Sequence, residues 1–252
     1  MTLSGQVIVV TGGSRGIGRA CVLAAVEQGA RVVFCSRRNG DDSRAVEAEA
    51  AARSGNDAAV GVCADVADEA SVSQLFAVAR ARYGGVHGVV NNAAISREAL
   101  AVSMPTADWD AVMAVNFTGV FLVAREAVRA FLEQGGGGRI VSIGTLSQHG
   151  VVGNASYATS KGGLAALARE LARQYGPYGI SSNLVVPGYV ETTLSAGMSQ
   201  EARHALVTGS PLHRPGTPEE IASVVSFLLS PAAAGLNGRQ IRATGGLMVV
   251  PA

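Results

Sequence analysis

Tyr157 and Lys161 are the residues whose types and spacing most directly suggest chemistry in this sequence. Lys161 is the sole lysine among twenty basic residues, and the other nineteen are arginines. Residues four apart lie on one face of a helix, so a helix here places the ammonium beside the phenol. Lysine is a compact ammonium, whereas arginine is broad and always charged. Because a nearby cation favours phenolate and lowers a tyrosine pKa, the pair is predicted to be an acid–base tyrosine with its lysine.

The segment T-G-G-S-R-G-I-G at 11–18 is a second candidate, because it joins an apolar run to a helical pattern. Gly12, Gly16 and Gly18 let the backbone turn tightly and approach a ligand, and the helix N-terminus offers free N–H groups to a pyrophosphate. A simple tight turn would not need three glycines together with Ser14. The segment therefore predicts a site for a dinucleotide phosphate.

The residues that follow the next two predicted strands bear on the choice of dinucleotide. A carboxylate after the second strand would hydrogen-bond the ribose 2′-hydroxyl of NAD, but this chain has Ser36 and Arg37 there. With Arg15 in the glycine-rich segment, two guanidinium groups suit a 2′-phosphate, which favours NADP(H) over NAD(H). Asp65 follows the third strand and is predicted to accept a bond from the adenine amino group. Asp68 is the more natural cap of the next helix.

The composition excludes several other classes of function. The 252 residues carry a net charge of +1, with 48% hydrophobic and 15% charged residues, which argues against nucleic acid as the main partner. The cysteines are widely spaced and the histidines show no ligand spacing, so no metal site is predicted. No signal-like start and no run of about 18 apolar residues occurs, so we expect a cytoplasmic protein without a membrane span.

Short apolar runs alternate with longer stretches of helical period. This alternation predicts an α/β fold: one domain, residues 1–252, with a Rossmann-like doubly wound parallel sheet of about seven strands and helices on both faces. The predicted strands are Val7–Val10, Arg31–Cys35, Ala59–Cys63, Gly88–Asn91, Arg139–Ile143, Ser181–Val186 and Gln240–Ala243. The predicted helices are Gly16–Gln28, Asp41–Arg53, Asp68–Arg82, Thr106–Gln134, Ala155–Tyr175 and Pro218–Leu229.

Four motifs occur in a characteristic order: T-G-x-x-x-G-x-G, N-N-A-x, Tyr-x-x-x-Lys and P-G-x-V-x-T. With R-P-G-T-P-E-E-I-A before the last helix, this set resembles the short-chain dehydrogenase/reductase family along the chain from Gly5 to Gly246. Within that family, the segment between Thr192 and Pro211 is most similar to the beta-ketoacyl-carrier-protein reductases and related bacterial ketoreductases.

The resemblance implies roles for individual residues. Tyr157 would be the general acid that protonates a substrate carbonyl oxygen, or the base in the reverse reaction. Lys161 would lower its pKa and hold the nicotinamide ribose, and Asn116 would bind a water that links the lysine to solvent. The full set predicted to contact the cofactor is Gly12, Ser14, Arg15, Gly16, Ile17, Gly18, Ser36, Arg37, Asp65, Val66, Asn91, Ala93, Tyr157, Lys161, Pro187, Gly188, Val190 and Thr192.

The chain departs from the family pattern at two places. The family has a serine about thirteen residues before the tyrosine, and Gly144 stands there instead. Aligning the strand R-I-V-S-I-G-T puts Thr145 at the serine position, where it keeps the hydroxyl donor and adds a methyl. Thr145 is therefore predicted to polarise the carbonyl, with Ser147 as the alternative and Ser142 less favoured. Ala94 replaces the last glycine of N-N-A-G, for which we expect a slight backbone shift.

A mostly apolar substrate pocket is predicted around Ser147, His149, Asn154 and Tyr189. The resemblance also implies a homotetramer, with a dimer as the alternative. A carrier-protein partner is doubtful, because Pro177 and Tyr178 stand where a basic residue is common and Glu133 adds charge of the wrong sign, although Arg129 remains. We expect a small carbonyl or alcohol substrate.

These features together predict NADPH-dependent reduction of a ketone or 3-oxoacyl group to a secondary alcohol. Two alternatives remain open. The same fold could serve as an NAD-dependent secondary-alcohol dehydrogenase, or the chain could be a catalytically idle NADP-binding sensor or scaffold. The altered serine position supports the idle alternative, whereas Tyr157, Lys161 and Asn116 argue against it.

Overall fold

Seven parallel strands form one sheet in the order β3-β2-β1-β4-β5-β6-β7. The structure is a computed structural model that describes residues 2–38 and 40–248. Every strand is rich in β-branched or small residues, and all positions of β1 and β6 are buried, as expected for strands covered on both faces. The strands are β1 Val7–Thr11, β2 Arg31–Ser36, β3 Ala59–Cys63, β4 Gly88–Asn91, β5 Gly138–Ile143, β6 Ile180–Pro187 and β7 Gln240–Ala243.

Helices cover both faces of this sheet, which confirms the predicted fold class. Alternate residues of β1 face opposite layers: Ile8 and Val10 pack with one set of helices, and Val7 and Val9 with the other. The first layer contains α1, α2 and α8, and the second contains α3, α5 and α6. The α-helices are α1 Gly16–Glu27, α2 Asp41–Ser54, α3 Glu69–Tyr83, α4 Thr106–Met113, α5 Gly119–Gln134, α6 Ala155–Tyr175, α7 Gln200–Gly209 and α8 Pro218–Leu229.

Two of these helices differ from the sequence prediction. The continuous helix predicted over Thr106–Gln134 is interrupted at Ala114–Thr118 by a turn of π-helix, so it consists of α4, the π-turn and α5. Helix α7 was not predicted. None of its residues is fully buried, although Ala205, Leu206 and Val207 are half-buried.

By length and composition alone, the helical segment 106–134 could cross a membrane. Its most apolar window is, however, 56% buried inside the fold. Leu122, Val123, Ala127 and Phe131 all pack into the second core layer. The apolar character of the segment is therefore explained by its place between α3 and the sheet.

Candidate functional site

Two adjoining cavities open at the carboxyl ends of the strands. The first cavity, of about 260 Å³, lies beyond β1, β2 and β3. The second, of about 210 Å³, lies beyond β5 and β6. Their linings have five residues in common, so they share a wall: Ile17, Asn92, Ala94, Thr192 and Leu194.

The first cavity collects most of the residues predicted to contact a dinucleotide. Eleven of them line it: Gly12, Ser14, Arg15, Gly16, Ile17, Ser36, Arg37, Asp65, Val66, Ala93 and Thr192. Gly12 has a φ of +66°, and a Cβ there would lie 3.0 Å from the Cα of Ala93. The backbone therefore approaches the β4 loop at a distance that only glycine allows easily.

Gly18 has a different role from the predicted one. It is buried and does not line the first cavity, and a Cβ on it would lie 2.1 Å from the carbonyl oxygen of Gly12. Gly18 thus allows α1 to pack against the glycine-rich segment. Thr11 joins the glycine-rich segment to the loop after β4, because its hydroxyl accepts hydrogen bonds from the backbone N–H groups of Asn92 and Ala93 at 3.0 and 3.1 Å.

The first cavity is suited to anions. Helix α1 begins after Arg15, which makes no side-chain capping bond, so the N–H groups of the first turn are free to bind a ligand. Arg15 and Arg37 are exposed on the lining, and neither guanidinium has a hydrogen-bond or ion-pair partner within residues 2–38 and 40–248. These unpaired cations and the glycine cradle are suited to hold the phosphate groups of a dinucleotide.

Asp68 caps the next helix as the sequence predicts, whereas the adenine contact of Asp65 stays a prediction. Asp68 caps α3 by accepting the N–H of Ser71 at 2.8 Å, a bond that lowers the pKa of its carboxyl. Asp65 lines the first cavity, and its Oδ1 accepts a hydrogen bond from the N–H of Ala67 at 2.9 Å. Its second oxygen therefore stays available to a ligand.

Tyr157 and Lys161 both line the second cavity. Helix α6 begins at Ala155, so the two residues lie in successive turns, and Thr145 lies on the same lining. The Lys161 side chain is 1% exposed and donates from Nζ to the carbonyl oxygen of Ile143 at 2.7 Å. The Tyr157 hydroxyl makes no hydrogen bond to any described residue, which leaves it free for a ligand in the cavity.

Burial controls the protonation of both groups. It raises the pKa of Tyr157 to about 12 and lowers the pKa of Lys161 to about 8. The pKa of Tyr157 is thus raised, whereas the sequence predicted that the lysine would lower it. Desolvation of the phenolate causes this rise, and the ammonium of Lys161 is bonded to the Ile143 carbonyl. Tyr157 remains a protonated phenol near neutral pH.

Asn116 lies in the π-turn and is fully buried. Its Oδ1 accepts the N–H of Ile95 at 2.9 Å, and its Nδ2 donates to the carbonyl oxygen of Ile95 at 2.9 Å and to Ser160 Oγ at 3.3 Å. Both amide hydrogens are thus used to fasten the loop after β4 onto α6. The water that Asn116 was expected to hold stays a prediction.

Thr145 lines the second cavity, as its predicted role requires. Its Oγ1 accepts the N–H of Ser147 at 3.2 Å at the start of the short 3₁₀ turn Leu146–His149. A hydroxyl keeps its own hydrogen when it accepts a bond, so Thr145 can still donate into the second cavity. Ser142 is buried and its Oγ accepts instead from Asn91 Nδ2 at 3.3 Å, which leaves it outside the cavity lining.

The predicted substrate residues Ser147, Asn154 and Tyr189 line the second cavity together with Pro187, Gly188 and Val190. His149 was wrongly placed there: it is exposed on the 3₁₀ turn and lines neither cavity. Asn91 was wrongly placed as well, because its side chain is buried towards β5.

Sequence reasoning missed Asn92 and Glu98 as site residues. Asn92 lines both cavities, and its Nδ2 donates to the carbonyl oxygens of Thr11 and Gly12 at 3.0 and 3.1 Å. The doubled asparagine was a signal for it, although only the pleat decides which of the two faces the cavity. Glu98 is an exposed carboxylate on the second cavity with no ion-pair partner in the described part of the chain. Among those residues, no cluster of His, Cys, Asp and Glu could hold a metal ion.

Comparison with known proteins agrees with this geometry. A family model described as enoyl-(acyl carrier protein) reductase matches residues 11–248. The chain is 37% identical to a 3-oxoacyl-[acyl-carrier-protein] reductase of Aquifex aeolicus, over 97% of this chain and 98% of the relative. It is 36% identical to an acetoacetyl-CoA reductase of a Synechocystis species, over 96% of each.

Among solved structures, a short-chain type dehydrogenase/reductase from Mycobacterium marinum superposes with a TM-score of 0.92 at 33% identity, covering 99% of this chain and 98% of the other. The family match, the full-length relatives and this superposition agree with the motifs and the fold. The chain belongs to the short-chain dehydrogenase/reductase family.

Proposed function

We propose that this chain is an NADP(H)-dependent ketoreductase that interconverts a ketone or 3-oxoacyl group and a secondary alcohol. The observation that carries this proposal is the shared wall between the two cavities. It brings an anion-binding glycine cradle next to the cavity that contains Tyr157, Lys161 and Thr145. Two relatives bear the names of enzymes that reduce 3-oxoacyl compounds, which supports the same class of reaction.

The cofactor half of the site rests on the glycine-rich segment and the two arginines. A bound nicotinamide dinucleotide would supply the hydride, or accept it in the reverse reaction. The first turn of α1 would bind the pyrophosphate, and Arg15 and Arg37 would bind the 2′-phosphate. Pro187, Gly188 and Val190 line the second cavity near its shared wall and would flank the reactive ring.

The proton half of the site rests on three side chains. Thr145 would donate a hydrogen bond to the substrate carbonyl oxygen, and Tyr157 would transfer its phenolic proton to that oxygen. A phenol whose pKa is about 12 is protonated at neutral pH, as the acid of a reduction must be. The ammonium of Lys161 lies one helical turn away and would stabilise the phenolate that remains.

The ion pairs of the surface support a substrate other than an acidic carrier protein. Arg129, the basic residue left near the end of α5, is paired with Glu126 at 2.5 Å. Glu133 at the end of the same helix is exposed, and Glu98 adds an unpaired carboxylate to the substrate cavity. We therefore favour a small, uncharged ketone as the substrate. We also propose that the protein is cytoplasmic. The exposed Phe121 and Leu132 on α5 support a homotetramer, since large apolar side chains in contact with water mark interfaces.

Replacing Glu98 with glutamine is expected to raise kcat/KM for anionic acetoacetate about fivefold and to change that for neutral methyl acetoacetate less than twofold. Removing one carboxylate charge from a partly solvated cavity wall relieves about 1 kcal/mol of repulsion. Initial rates with both substrates check this. Glu133→Gln is the matched control, because this carboxylate is exposed at the end of α5 and lines neither cavity. An equal change for both substrates, or the same change in the control, would contradict the expectation.

Replacing Arg37 with alanine is expected to raise the KM for NADPH at least about tenfold and to leave the KM for NADH nearly unchanged. A bidentate guanidinium–phosphate contact is lost only with the phosphorylated cofactor. Arg38→Ala is the matched control, because Arg38 is exposed but does not line the first cavity. If wild-type rates with NADH exceeded those with NADPH, the alternative NAD-dependent dehydrogenase would be favoured.

The test of the proposed function is a panel of ketones and 3-oxoacyl thioesters assayed by NADPH absorbance. Turnover that disappears in Tyr157→Phe, with NADPH binding retained, is the expected result. NADPH binding without turnover of any substrate would instead favour a sensor or scaffold.

A further inference from the structure

A third cavity, of about 190 Å³, lies between α7, α8 and the end of β7. Aliphatic residues from four parts of the fold contribute to its wall: Leu206, Leu212, Ile221, Val224, Ala243 and Leu247. None of the residues that are proposed to bind the cofactor or transfer the proton lines this cavity.

The third cavity adjoins the substrate cavity. Tyr189, Leu206 and Leu247 line both, so these three side chains form the partition between them. Leu206 belongs to α7, none of whose residues is fully buried. A surface helix with few buried contacts shifts at small cost, so the partition can yield to a ligand that enters from the substrate cavity.

The charges of the third cavity are already compensated within the protein. Arg214 and Glu220 form a two-point ion pair, with Nη1 to Oε2 at 3.0 Å and Nη2 to Oε1 at 2.5 Å. Hydrogen bonds from Arg214 and from the Thr217 backbone lower the pKa of Glu220 to about 2. Ser210 donates to the carbonyl oxygen of Gly245 at 2.9 Å. The wall therefore offers apolar surface but no unpaired charge to a ligand.

We propose that the third cavity binds the apolar tail of the ketone substrate, whose carbonyl lies beside Tyr157 in the adjoining cavity. This inference rests on the proposed function and assigns it a substrate class: ketones with one short substituent and one alkyl or aryl arm of several carbons. The tail would pass the three side chains that the two cavities share, and the compensated charges leave burial of apolar surface as the interaction available in the third cavity.

The test is a series of methyl ketones, from 2-butanone through 2-hexanone and 2-octanone to 2-decanone, assayed for kcat/KM with NADPH. In the wild type we expect kcat/KM to rise about fourfold for each methylene that enters the cavity and then to level off. Val224→Phe fills the third cavity from α8 and is expected to lower the ratio of 2-octanone to 2-butanone at least tenfold. Ser223→Phe adds the same bulk to the exposed side of α8 and should leave this ratio as in the wild type.

Leu212→Trp is the second filling variant, chosen because Leu212 is 59% exposed and tolerates a larger side chain without repacking the core. The inference would be overturned if the wild-type kcat/KM did not rise along the ketone series, or if both filling variants kept the wild-type ratio of 2-octanone to 2-butanone. Reduction of 2-butanone in the same assays would still support the proposed function. A change of oligomeric mass in the filling variants without a change of ratio would assign the cavity to a second copy of the chain and also overturn it. Inactivity of the wild type towards every ketone would overturn both proposals.

Discussion

Lys161→Arg lowers kcat for ketone reduction by at least about a hundredfold in the result we expect, a loss typical of disabled acid–base catalysis. Lys161 is almost completely buried, and its Nζ fits against the Ile143 carbonyl at 2.7 Å. A guanidinium keeps the positive charge but is wider and planar. It therefore cannot occupy this space without displacing the first turns of α6, which contain Tyr157. Steady-state kinetics with a ketone at saturating NADPH measure the effect.

Two further variants separate shape from charge in this experiment. Lys161→Met fits the buried space without an ammonium and should lose activity to a similar degree while it melts at or above the wild-type temperature. Arg173→Lys makes the reverse exchange on the exposed side of the same helix and should behave as wild type. Normal turnover by Lys161→Arg would show that the chain's single lysine is an accident of composition.

Thr145→Ala is expected to lower kcat by about a hundredfold to a thousandfold, the usual loss for one donor to a developing oxyanion. The dissociation constant for NADPH should not change, because Thr145 is proposed to contact the substrate carbonyl and not the dinucleotide. Thr145→Ser keeps the hydroxyl and should retain most of the activity. Fluorescence titration with NADPH and initial rates measure the two quantities separately.

Ser147 provides the matched control for this experiment. It lines the same cavity and its backbone N–H donates to the Thr145 hydroxyl. Ser147→Ala removes a neighbouring hydroxyl while it preserves this backbone bond, so we expect less than a threefold change in kcat. Full activity in Thr145→Ala together with a large loss in Ser147→Ala would reverse the assignment.

The fold was largely predictable because its strands are apolar on both faces and its helices begin and end at residues typical of helix termini. Strand β3 and helix α6 have the predicted bounds. Helix α7 was missed because its residues are polar or only half buried. Ser199, which caps it by accepting the N–H of Ala202, was the signal that could have revealed it.

The sequence predicted most of the residues that line the two cavities, and it failed where three-dimensional packing decides. The two arginines and the glycine turn lie where the sequence predicts them. Gly18 and Asn91 instead serve packing, because a Cβ clash and a strand pleat are not visible in a motif. The raised pKa of Tyr157 was also unpredictable, since it depends on how completely the folded chain excludes water from the phenol.

The π-turn at Ala114–Thr118 has a consequence for how this part of the chain can evolve. An α-helix advances by about 100° per residue, and a π-turn holds one residue more than an α-helical turn, so α5 is rotated by about that angle relative to a direct extension of α4. With this offset, Asn116 faces Ile95 while Phe131 faces the core. A substitution leaves the relative directions of Asn116 and Phe131 unchanged. Deletion of a single residue between them would rotate one of the two side chains away from its present contacts. The length of the segment is therefore more strictly constrained than its composition.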